Sequence, residues 1–481
     1  MSKPNFIFFD TETSGGRGLA DILTIDALFY DHNFKPLDTF SSRARLRKSR
    51  VYEVDSFLVN GLDPFEMDKS KNSNFDLTKE ANDKFLSWAN KGPVFFVAHN
   101  GYGFDYMLTS QHLFSNLFTW PWIFSTGNAR QLDSLPIVQN FDFYAPNKIA
   151  TELNEKNNKV FKLGSLCKAN GFEIKELHSS RGDTEGMMKL MAFLKEKDPA
   201  LFRQSLSFTN KNDVLNKIKE TDYFCHPETF YGRTRQFTSS YLCEHPVYKG
   251  YHLVFDLKHD PEAMFGEKSN EVLKKLLNGA PKKYRTLKIG KNPFIQDKSF
   301  ATNFNDEYKT LGHEILKTRA DFIFKNRDEI ANRVCLIISD QFQDQDMDQT
   351  ELIPEQMIFS LNPSQNEKTL MNNYVLAKTC EEQRKIHDEF KNKDLKHLSE
   401  MILLDRFGKE GFSDAEYKRI RKGISRRLLS TNKEVFPTIP EGMARIDQLR
   451  EDKKDDNQSL EKIEIINKHL EGLAEDHAKF L

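Results

Sequence analysis

Two short, uninterrupted apolar runs, Phe6–Phe9 and Val94–Ala98, constrain the first 200 residues most strongly. Neither approaches the ~20 apolar residues that a bilayer span needs. Apolar side chains at consecutive positions of a short segment mark a strand covered on both faces. ADILTIDALFYD continues as a further strand with apolar residues on both sides. FDLTKEANDKFLSWAN has helical spacing instead, with Leu77, Ala81, Phe85 and Trp88 on one side. FKLGSLCKANGF and TEGMMKLMAFLKEK predict two more helices, the first stopped by Gly171. Strands alternating with helices predict an α/β layer domain.

After about residue 204 the pattern changes. YGRTRQFTSSYL and KGYHLVFDLKHD are rich in aromatic, Thr and Ser positions and predict short strands. NRVCLIISDQF fits either a helix end or a strand, and the acidic DQFQDQDMDQTE reads as a linker. From about residue 368 the spacing is helical to the end. Ser413 and Glu416 have capping-box spacing ahead of a helix through Leu429, and QSLEKIEIINKHLEGLAEDHAKFL is amphipathic. Neither an internal repeat nor a GxxxxGK[ST] phosphate loop occurs.

Charge is balanced overall, at −1, but unevenly spread. Residues 204–333 carry 22 basic and 17 acidic side chains, whereas 334–481 carry 23 and 29. The middle third is where a phosphate-binding face would lie, but on composition alone a solvated, lysine-rich surface is the favoured reading of this excess. With 40 Phe, 14 Tyr and 3 Trp the chain has ample core material and is not disordered throughout. Five scattered cysteines fit neither a disulfide framework nor a Cys-based zinc site. The chain opens without a charged-then-apolar leader, and the expected setting is the cytoplasm, with reduced thiols and no membrane contact.

Acidic residues at strand ends carry the chemistry. Asp10 and Glu12 follow the first strand and, two apart on extended chain, point the same way. AHNGYGFD brings Asn100 and Asp105 after the second buried strand, and HSSRGDTEG holds His178 and Asp183. Each motif alone is weak. Together, four carboxylates exceed what a structural site normally gathers. An oxygen-only donor set suits Mg²⁺ or Mn²⁺ rather than zinc. Two such ions can stabilise the attacking and leaving oxygens of a phosphodiester displacement, and a histidine can take the proton from the attacking water.

This ordered set, Asp10-Thr11-Glu12, Asn100 to Phe104-Asp105, and His178 to Asp183, resembles the DEDDh superfamily of 3′→5′ exonucleases. Within it the chain looks most like the bacterial exonuclease I family. FKLGSLCKANGFE precedes the histidine motif, DPALF follows the last motif helix, and GFSDAE lies in the helical region, as their counterparts do in that family. The resemblance implies an α/β RNase H-like exonuclease domain over 1–203, an SH3-like β-rich domain over 204–360 and an α-helical domain over 361–481. It implies that Asp10, Glu12, Asp105 and Asp183 hold two Mg²⁺ ions, with Mn²⁺ as a substitute, and that His178 is the general base.

Glu12 would also lie near the terminal nucleotide. Lys162 stands where the family has a substrate-contacting arginine, which keeps the charge and loses the bidentate fork. The family's aromatic base contacts fall near Trp120 and Phe124, for which stacking on bases and packing in the core are equal alternatives. Arg181 sits where the family carries a less polar residue. The basic stretch Lys282, Lys283, Arg285, Lys288 and Lys291, with Arg233 and Arg235, is either a strand-tracking groove or a solubilising surface. The implied activity is degradation of single-stranded DNA from the 3′ end to 5′-mononucleotides, in repair and recombination, by a monomer. The implied protein partner is the acidic C-terminal tail of single-stranded-DNA-binding protein. The alternatives are an exoribonuclease or proofreading subunit with the same motifs, which the long C-terminal extension disfavours, and a decayed, non-catalytic binding module.

Overall fold

In the computed structural model, residues 3–16, 19–175, 179–266, 269–343 and 352–481 are described. The chain divides into two compact units. Met1–Ala129, Ile174–Met188 and Glu351–Leu481 form the first, and Arg130–Glu173 with Lys189–Thr350 the second. The expected segments are 1–203, 204–360 and 361–481. The units cut across them: part of the α/β segment groups with the β-rich one, and the C-terminal helices group with the segments that carry Asp10, Glu12, Asp105 and Asp183.

The first unit is built around β1 (Asn5–Thr13), β2 (Ile22–Tyr30), β3 (Pro36–Arg43) and β4 (Val94–Ala98). Their order in the sheet is β3-β2-β1-β4. β1 pairs antiparallel with β2 and parallel with β4. Phe6 to Phe9 are all buried, as a central strand covered on both faces requires. The expected helix spans Asn74–Ala89 and starts at a Ser73–Asp76 capping box. Its Leu77, Ala81, Phe85 and Trp88 share one core with Ile7 and Phe9 of β1. The Phe85 and Phe96 rings meet edge-on at 5.3 Å.

The C-terminal helices Asp414–Leu428, Ile439–Asp452 and Asn457–Ala478 also belong to this unit. Ile424, Ile446, Ile463 and Leu470 form a second core with Leu23, Tyr52 and Phe57. Ser413 and Glu416 make the expected reciprocal capping box.

The second unit holds a four-stranded antiparallel sheet of Phe224–Phe230, Arg233–Glu244, Tyr251–Asp256 and Tyr284–Lys288. These are the strands read from the aromatic and Thr-rich middle region. NRVCLIISDQF resolves as a helix, Arg327–Gln343. Its Val334, Ile337 and Ile338 are buried at spacings of three and four, against Leu253, Phe255 and Tyr308. Helical structure therefore begins before residue 368, with Asp306–Lys325 as well. The expected linker DQFQDQDMDQTE lies in part on this helix and otherwise outside the described residues. The helix Leu163–Ala169 ends as expected, with Gly171 at φ 72°. Among the described residues no helix is long and apolar enough to cross a membrane.

Candidate active site

β1 runs on through Thr13, so Asp10 and Glu12 lie within the strand rather than beyond it. They alternate with buried Thr11 and Thr13, and both keep partial access to solvent. Period-2 geometry puts the two carboxylates on one face. Asp105 arrives by a tight route. Asn100 follows β4 with φ 62°, and a Cβ on Gly101 would come within 2.6 Å of the Ala98 Cβ and 2.8 Å of the Tyr106 ring. The glycine lets the chain turn close under the strand end. Asp105 then occupies the first turn of helix Asp105–Ser115, where the helix dipole favours an anion. It is 5% exposed and accepts a 2.9 Å hydrogen bond from the Thr11 hydroxyl.

Asp183 comes from the first turn of helix Ser180–Lys197. Carboxylate oxygens of Asp10, Glu12 and Asp183 lie within 4.8 Å of one another. Three carboxylates from two separate elements thus converge, with Asp105 near enough to act on their charge. Burial, then Asp105, Glu12, Asp183 and Asp26, hold the Asp10 carboxyl well above the usual range. Burial, then Asp183, Asp105 and Asp26, lift Glu12 to about 8. So many acids in a partly dry site resist joint ionisation. A divalent cation relieves that repulsion, and an oxygen-only donor set fits Mg²⁺ or Mn²⁺. The residues present therefore fit such an ion.

One acid of the cluster escaped the sequence reading. Asp26 lies on β2 directly opposite Asp10 and is 7% exposed. Ser180 donates to its Oδ2 at 2.5 Å, and the Ser180 and Thr24 hydroxyls lie 2.9 Å apart. These bonds tie the start of the Asp183 helix to β2. The available signal was an acid inside ILTIDALFY, a strand buried along almost all its length.

The other expected contacts separate clearly. Phe124 is fully buried and stacks on Phe9 at 4.9 Å. Its expected role as a base contact is corrected: the ring has no face left for a base. Trp120 is 57% exposed, with its indole N–H donating to the Thr126 hydroxyl at 2.7 Å. Lys162 is exposed and precedes helix Leu163–Ala169 in the second unit. Arg181 pairs with Glu185 at 3.0 Å. His178 lies outside the described residues. Within the basic stretch, Arg285 is engaged by Glu228 at 3.5 Å and by the Phe237 ring at 3.8 Å. Lys282, Lys288, Arg233 and Arg235 are exposed.

No model of a known protein family matches the chain. An exodeoxyribonuclease I of Buchnera aphidicola subsp. Schizaphis graminum is 25% identical over 251 residues, a match spanning half of each chain. Solved structures resemble the chain over 98% of its length and their whole length. One is Escherichia coli exonuclease I in complex with a dA16 oligonucleotide, at a TM-score of 0.80 and 16% identity. Another is an ExoI/SSB-Ct complex, at 0.77 and 16%. The chain shares the fold of these exonuclease I structures over 98% of its length.

Proposed function

We propose that this chain is a divalent-metal-dependent 3′→5′ exodeoxyribonuclease. It removes 5′-mononucleotides from single-stranded DNA in repair and recombination, as a cytoplasmic monomer. The convergence of Asp10, Glu12 and Asp183 within 4.8 Å carries this reading. A fold shared with an enzyme solved on a dA16 strand supports it.

Two divalent ions, Mg²⁺ by this reading, would supply charge stabilisation to the attacking and leaving oxygens when bound. Asp10, Glu12, Asp105 and Asp183 hold them. Thr11 orients Asp105, and Ser180 fixes the start of the Asp183 helix through Asp26. Glu12 also borders the terminal nucleotide. His178 takes the proton from the attacking water. Lys162 contacts phosphate. The acidic tail of single-stranded-DNA-binding protein is the proposed partner, in keeping with the ExoI/SSB-Ct complex of the same fold.

The direct test uses a 5′-labelled single-stranded DNA with Mg²⁺, with and without EDTA, beside an RNA and a duplex. A shortening ladder on single-stranded DNA that EDTA abolishes is the expected result. Preferential shortening of RNA moves the chain to the exoribonuclease branch, and uniform inactivity with retained binding makes it a binding module. Trp120 offers the exposed ring for base stacking. Trp120→Ala is expected to weaken oligonucleotide binding, measured by fluorescence anisotropy, by roughly 1–3 kcal/mol. Unchanged affinity removes Trp120 from the strand path.

A further inference from the structure

A cavity of about 250 Å³ lies in the first unit, and none of the four acidic motif residues lines it. Its walls come from residues 45–52 and from the C-terminal helices, and its polar lining does not balance. Three acids line it, and each has its own partner. Asp21 is paired with Arg47 at 3.1 Å and Arg50 at 2.9 Å. Asp68 lies 3.1 Å from His469 Nε2, and Asp476 lies 2.7 Å from Lys479.

Three cations on the same walls have no carboxylate within ion-pair distance among the described residues, though Asp405 acts on Arg45 and Asp476 on Arg421 from farther off. Arg45 donates only to the backbone carbonyls of Lys71, Asp405 and Arg406. Lys48 is exposed and unpaired. Arg421 is 6% exposed. Its Nη1 reaches the Tyr417 hydroxyl at 3.5 Å, its guanidinium stands 4.3 Å from the Phe480 centroid, and its Nε bonds to nothing.

Burying a cation without a directly bonded counter-charge is costly, and such groups are normally paired. An aromatic face offsets part of that cost but leaves the N–H donors unsatisfied. An oxyanion in the cavity would satisfy both charge and donors. Arginine forks match phosphate oxygens in particular. The volume equals about eight waters at roughly 30 Å³ each, enough for a phosphate with a small organic group.

We propose that this cavity binds a small phosphate-bearing anion through Arg421, Arg45 and Lys48. The site is independent of the acidic cluster. Its wall includes Ser14, two residues past Glu12, whose N–H donates to the Asp21 carbonyl at 2.9 Å. A bound anion would thus rest against the chain that leaves β1.

The test is calorimetric titration of the full chain, in EDTA at low ionic strength. The probes are inorganic phosphate, deoxyadenosine 5′-monophosphate and an acidic peptide with a free C-terminal carboxylate. One saturable site for phosphate or the nucleotide is expected, weakened at least about tenfold by Arg421→Gln. Asp183→Ala should leave it unchanged, which separates this site from the acidic cluster. Tighter binding of the nucleotide than of phosphate assigns the apolar wall to the nucleoside, and equal binding assigns phosphate alone. Should Arg421→Gln fail to fold, the exposed Lys48→Gln serves, with a severalfold loss expected. No saturable site in the wild type, equal affinity in wild type and variants, or binding of the peptide alone overturns the proposal.

Discussion

Asp183→Ala is expected to lower the rate of single-stranded DNA cleavage by well over 100-fold while leaving DNA binding in place. The geometry sets the scale. Losing a partner that merely orients a metal ligand typically costs 10–100-fold, and Asp183 is itself one of the three converging carboxylates. It enters from its own helix, so neither neighbour on β1 can move to replace it. Its removal also deletes the largest like charge acting on Glu12. The folded state should therefore not suffer, and a thermal unfolding scan separates lost catalysis from lost structure. Ser180→Ala provides the graded comparison. It leaves every carboxylate present but cuts the 2.5 Å bond to Asp26 that holds the helix start, so a loss of roughly 10–100-fold is expected. Single-turnover cleavage of a 5′-labelled oligonucleotide gives both numbers. Wild-type activity in Asp183→Ala would remove the acidic cluster from the reaction.

Local pattern made much of this site legible. Asp10 and Glu12 share a face because strands repeat every two residues, and Leu77, Ala81, Phe85 and Trp88 share one because helices repeat every 3.6. Both rules act within one segment and need no partner. Asp26 was not legible, because its importance depends on the register that sets it across from Asp10. Phe124 failed for a related reason. An aromatic side chain suits a core and a stacking platform equally, and only the approach of Phe9 decides between them. The grouping of the C-terminal helices with the acidic motifs likewise rests on contacts such as Tyr52 with His469, more than 400 residues apart. The ambiguity over NRVCLIISDQF was one of scale. A short apolar run fits strand or helix until its flanks show the period.

In the absence of divalent metal, stability is expected to fall steeply as pH rises from about 5 to 9, and added Mg²⁺ or Mn²⁺ should restore it. Glu12 is lifted from 4.5 to about 8 in the folded state, so the native protein holds this proton more tightly than the unfolded chain does. Its contribution to stability is complete below about pH 4.5 and is lost as pH climbs through about 8. At 1.36 kcal/mol per unit, a displacement from 4.5 to about 8 corresponds to about 5 kcal/mol. Asp10 is shifted in the same direction by the same burial and the same neighbours, so the two reinforce each other. A cation competes with the proton for these oxygens. Its stabilising effect should therefore be small at pH 5 and large at pH 8–9, where the bare carboxylates repel. Ligand at 100 times its Kd adds about 2.7 kcal/mol through binding to the native state alone. Thermal unfolding across this pH range, in EDTA and in excess Mg²⁺ or Mn²⁺, measures both effects. Glu12→Gln separates its share from that of Asp10, because an uncharged amide should reduce the pH dependence of the metal-free protein and weaken the response to metal. A metal-free Tm that neither declines with pH nor differs between wild type and Glu12→Gln would mean that the cluster carries no strain for a cation to relieve.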